Sequence, residues 1–66
     1  RDVQIEAKDD GSYELVDRGS ACGTIVSDQV VGGNFAGGRC PLKFGDSIIV
    51  GTRQSSIVFE FCEASA

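Results

Sequence analysis

Cys22, Cys40 and Cys62 carry the most chemical reach in this 66-residue chain, and the residues around them limit what they can do. A thiol becomes a nucleophile at neutral pH only beside a base or a positive field. The chain has no His, so the usual base is missing. Cys22, between Ala21 and Gly23, therefore reads as a packed or spectator thiol, with redox sensing as its one reactive alternative. Zinc is not expected, because there is neither a Cys-x-x-Cys pair nor a His to complete a tetrahedral site. Secreted disulfide scaffolds usually carry an even set of cysteines, so three point to reduced thiols in a cytoplasmic chain. One disulfide with a free thiol is the alternative.

Other patterns with chemical precedent fall short in similar ways. Gly33 and Gly38 have the spacing of the two glycines in a P-loop, but Arg39 and Cys40 stand where Lys and Ser or Thr are needed, and no helical pattern follows. Asp9 and Asp10 sit in a turn-forming stretch with nothing to perturb their pKa values, and further oxygen ligands at calcium-loop spacing are absent. The expectation is a chain that is not an enzyme and needs no cofactor or metal.

Bulk composition points the same way. Ten acidic residues against six basic give a net charge of −4, whereas phosphate-backbone binding needs clustered Lys and Arg. Nucleic acid is not an expected partner. A hydrophobic fraction of 41% is globular, and the apolar runs, such as Ile48-Ile49-Val50, are strand-length and too short to span a bilayer. Neither a membrane nor a targeting segment is expected. One domain is the upper limit, and a folded chain this small hides only about 60% of its unfolded surface.

Residues 3–7 alternate apolar and polar with period two, the pattern of a strand with one buried face. Asp10-Gly11 then marks a hairpin turn into a strand over residues 13–16. Residues 17–21 read as a structured loop, followed by short strands over 23–26 and 29–31 around a Ser27-Asp28 turn. Four glycines among residues 32–38 predict a long, mobile loop. Pro41 places residues 39–42 at a sheet edge or bulge, since it has no amide N–H to donate. After a Gly45-Asp46 turn, residues 47–50 are apolar on both faces, residues 51–54 return the chain, and the last strand covers 56–62 with Ile57, Phe59 and Phe61 pointing inward. Short strands, frequent turns and no helical period predict an all-β fold, an antiparallel β-sandwich or small barrel.

The residues from Tyr13 through Asp17-Arg18-Gly19-Ser20-Ala21-Cys22-Gly23-Thr24 to Val26, followed by Leu42-Lys43-Phe44-Gly45-Asp46-Ser47-Ile48-Ile49-Val50-Gly51, resemble the second half of a forkhead-associated domain. That family shows a strand ending in Asp, then Gly-Ser-x-Asn-Gly-Thr, then Leu-x-x-Gly-Asp-x-Ile-x-x-Gly. The resemblance covers residues 2–62. It implies a sandwich of the forkhead-associated type, lacking the family's N-terminal strands, whose end loops recognise phosphothreonine in partner proteins during signalling.

Carried over residue by residue, the resemblance implies ligand-binding positions at Arg18, Ser20, Cys22, Gly23 and Thr24, with Arg1 falling inside the family's Ser-x-x-His motif. Three departures accompany it. The family's Gly-Arg phosphate grip has no counterpart, Asp2 stands where the motif's His would be, and Cys22 replaces the Asn that bonds the bound peptide's backbone. A thiol is a weak donor and a weak acceptor. Arg39 or Lys43 is expected to add charge at the binding end once the chain folds. The leading expectation is a protein-interaction module. The alternative is an assembly module, completed by another chain or by a second copy in a homo-oligomer, because the 3–7 strand should leave a sheet edge exposed.

Overall fold

The computed structural model describes residues 3–51 and 55–64. Arg1, Asp2 and the return at residues 52–54 lie outside them. Seven strands follow in chain order: β1 (Val3–Ala7), β2 (Tyr13–Asp17), β3 (Thr24–Val26), β4 (Gln29–Val31), β5 (Gly38–Leu42), β6 (Ser47–Gly51) and β7 (Ser56–Glu60). They form two antiparallel sheets, ordered β1-β2-β5 and β4-β3-β6-β7. The described residues contain no helix, hence none long and apolar enough to cross a membrane. The fold is all-β, as the alternating pattern predicts.

Period-two alternation builds the layer between the sheets. From the three-stranded sheet it turns Leu15, Cys40 and Leu42 inward, and from the four-stranded sheet Val26, Val31 and Ile48. These six form the core, with Val3, Tyr13, Val50 and Phe61 packed against it. Burial pushes the Cys40 thiol up, away from thiolate. Pro41 does lie on an edge strand, β5, and the strand that is apolar on both faces, β6, is central.

The far end of the molecule is closed by turns and rings. The amide of Lys43 and the hydroxyl of Ser27 both donate to the Asp46 carboxylate, at 2.9 and 2.8 Å, which ties the β5–β6 turn to the β3–β4 turn. Those two bonds, the Lys43 amide first, hold Asp46 below the usual carboxylate value. Tyr13, Phe44 and Phe61 pack ring against ring, with centroids 5.1 to 5.7 Å apart.

Two expectations need correction. Residues 32–38 are not a long open loop. The amides of Gly33 and Ala36 exchange bonds with each other's carbonyls at 3.1 and 2.9 Å, which closes a two-residue turn at Asn34-Phe35, and β5 begins at Gly38. The inward-facing residues of β7 are also not all buried. Phe61, just beyond the strand, packs on the core, but Ile57 and Phe59 are 49% and 53% exposed. They face an open cleft between β7 and β1 rather than the packed layer.

Candidate functional site

Asp17 ends β2 with its side chain turned inward, and only 2% of it is exposed. A carboxylate in that position is tolerable only if its oxygens are fully bonded. Oδ1 accepts from the amides of Gly19 at 2.9 Å and Ser20 at 2.8 Å. Oδ2 accepts from the hydroxyls of Ser20 at 2.6 Å and Thr24 at 2.9 Å. Thr24 belongs to the other sheet, so this one carboxylate pins the β2–β3 loop and joins the two layers at the same point. Burial, the largest influence, pushes the Asp17 pKa upward. The bonds from Ser20, Gly19 and Thr24 together outweigh it and hold the group below its ordinary value.

The β2–β3 loop is closed further by the Gly23 amide, which donates to Ser20 Oγ at 3.0 Å. The β4–β5 turn then docks onto it: the amides of Asn34 and Phe35 donate to the carbonyls of Ala21 and Ser20 at 2.8 and 3.0 Å. A Cβ added at Gly33 would stand 3.3 Å from the Gly23 Cα, so the two loops meet backbone to backbone. The product is a preformed surface at one end of the sandwich, with Arg18, Ala21, Cys22, Asn34 and Phe35 exposed on it. A preorganised loop surface saves ordering entropy when it binds.

The residues expected to form a site separate into two groups. Thr24 is fully buried and Gly23 is buried, while the Ser20 hydroxyl is committed to Asp17 as donor and to Gly23 as acceptor. These three shape the loop from within. Arg18 and Cys22 are exposed on the surface, and Arg18 Nη1 reaches Gln4 Oε1 at 3.4 Å. Arg1 lies outside the described residues. Arg39 does not turn to this end: it pairs with Glu14 at 2.6 Å and Glu6 at 3.5 Å on the outer sheet face. Lys43 stands in the β5–β6 turn at the opposite end. Among the described residues no cluster of His, Cys, Asp or Glu is arranged to hold a metal ion.

Phe35 is what sequence reasoning missed. It is 77% exposed and holds φ at +62°, with Asn34 at +54°. Positive φ at both central positions is the signature of a type I′ turn, which favours Asn-Gly. A bulky residue in that region costs roughly 1–2 kcal/mol, yet a large apolar ring is kept there. Asn34 followed by a non-glycine between paired glycines was the available signal. Phe35→Gly should raise stability by about 1 kcal/mol, read as a higher thermal midpoint; an unchanged or lower midpoint would contradict the strain.

Comparison with protein-family models, with curated proteins and with solved structures finds no match to this chain. The fold and the loop end define the class: a small two-sheet β-domain with a preformed loop surface.

Proposed function

We propose that this chain is a protein-interaction module that binds an extended segment of a partner protein on its loop end. Phosphothreonine-containing segments are the ligand class implied by the forkhead-associated resemblance. The observation that carries this reading is the Asp17 carboxylate, whose four bonds from Gly19, Ser20 and Thr24 hold an exposed loop in one shape. Arg18 supplies the cation that stands on this surface among the described residues, and a guanidinium is the best fork for a dianionic phosphate. Phe35 supplies an apolar contact beside it. Buried aromatic anchors carry a large share of binding energy at protein interfaces.

Titration with a phosphothreonine peptide library and its unmodified counterpart tests the reading. Phosphorylated peptides should bind more tightly, and Arg18→Ala should weaken them by about tenfold, or ~1.4 kcal/mol. Equal binding of both libraries, or none, would end the phosphate reading.

A second reading, assembly through strand pairing, is favoured by a separate observation. The strands β1 and β7 end their respective sheets and flank an apolar cleft of about 620 Å³, lined by Val3, Ile5, Val50, Ile57, Phe59 and Phe61 among others. Large exposed apolar surface of this kind marks sites of association.

A further inference from the structure

Of the four sheet edges among the described residues, three carry devices that discourage pairing with another chain. Edges are normally blunted by charge, proline, or short length. On β5, Arg39 and Pro41 alternate, and Pro41 has no amide to offer. The edge strand β4 is three residues long. On β1, Gln4 and Glu6 occupy the outer face, and Glu6 is held in an ion pair with Arg39.

The remaining edge has no proline, is not short and is uncharged at its centre. All five residues of β7, Ser56-Ile57-Val58-Phe59-Glu60, are exposed, and its single charge stands at the last position. Its cleft face is apolar, with Ile57 and Phe59, while Val58, 66% exposed, points to the outer side between Ser56 and Glu60. Val58 also ends a cross-strand row, being paired with Ile49, which pairs with Ile25, which pairs with Val30.

The sequence of β7 is self-complementary when read antiparallel. A twofold axis at Val58 sets Ile57 opposite the second copy's Phe59, and Ser56 opposite the second copy's Glu60. Aromatic with β-branched is a favourable cross-strand pair, a hydroxyl can donate to a facing carboxylate, and no like charges meet. We infer that β7 pairs with β7 of a second copy about this axis, joining two four-stranded sheets into one and extending the apolar wall of each cleft. The inference rests on the assembly reading and specifies its edge, partner and register. A symmetric interface of this kind closes on itself as a dimer.

Sedimentation of the wild-type chain across the micromolar range should show a dimer. Val58→Lys and Val58→Glu each place like charges face to face on the axis and should weaken it by at least about tenfold. The exposed position spares the core, and an unchanged circular dichroism spectrum checks that each variant folds. Mixing the Lys and Glu variants should restore association, because each axis then holds one charge of either sign.

Restoration in the mixture is the decisive positive result. A dimer indifferent to both substitutions keeps the assembly reading but moves it to another edge, overturning this one. Variants that dissociate without rescue on mixing overturn the register. A wild-type monomer throughout overturns pairing with a copy and leaves the edge to a strand from a different chain or from outside residues 1–66.

Discussion

Asp17→Ala should remove about 3 kcal/mol or more of folding stability, because it leaves the buried Thr24 hydroxyl, the part-buried Ser20 hydroxyl and two amides without their acceptor. A chain of 66 residues has a total of about 3–10 kcal/mol to lose. The variant should therefore be largely unfolded near its working temperature, seen as a collapsed or absent cooperative transition in urea. Asp17→Asn keeps one oxygen and gains an amide NH2 that rotated hydroxyls can accept from, so it should cost less, about 1–2 kcal/mol.

Both variants also lose the acid response of the wild type, because neither keeps the carboxylate. The folded-state pKa of Asp17 lies below its ordinary value of 3.8. In the wild type, its contribution is therefore fully present above that value and is lost as pH falls through the lower, folded one. Asp10 and Asp46 are shifted in the same direction, through bonds to Ser12 and to Lys43 and Ser27 respectively. Asp17→Asn should flatten the acid limb of a stability profile measured below pH ~4, and a limb identical to wild type would show that Asp17 is not the controlling carboxylate.

Gly32→Ala should rival the Asp17 substitution. Gly32 holds φ at +69°, and a Cβ there would meet the Asp17 Cγ at 2.6 Å and its Oδ1 at 2.9 Å. The left-handed backbone alone costs an alanine roughly 1–2 kcal/mol. The collision adds a further displacement of a carboxylate that has four bonds to keep, for a total of about 3 kcal/mol. A shift of the urea midpoint with an unchanged slope would measure it. Since the clash falls on Asp17, the double variant Gly32→Ala with Asp17→Asn should cost less than the sum of the singles by about 1 kcal/mol. Strict additivity would place the strain elsewhere.

Secondary structure was legible because it depends on local pattern. Alternation in residues 3–7 and β-branched density in residues 47–50 each specify a strand whatever lies around them. Turn chemistry did the rest: Asp10-Gly11 and Gly45-Asp46 each sit where the chain reverses, and both glycines take positive φ. Boundaries moved by a residue or two, as at Gly38, because a pairing partner rather than propensity decides where a ladder stops.

The glycine-rich stretch shows where local reading ended. Its composition speaks for flexibility, yet in the fold Gly33 lies against Gly23 and the Asn34 and Phe35 amides find carbonyls on another loop. Glycine there permits close approach of two backbones as well as freedom, and nothing local distinguishes those uses. Sequence likewise marked Ser20, Gly23 and Thr24 as loop-shaping positions of a binding end, while only the fold shows the hydroxyls of Ser20 and Thr24 bonded to Asp17 and the Gly23 amide bonded to Ser20.

By itself, the sequence determined seven strands, their turns and an all-β architecture, since the period of a strand and the φ demands of a turn are properties of neighbouring residues. Only the tertiary structure decided that β4 and β7 would be the other sheet edges, that Ile57 and Phe59 would face an open cleft, and that one carboxylate would hold both layers. Those depend on contacts between segments far apart in the chain, and hydrophobicity, being non-directional, says that a side chain prefers burial without saying against what.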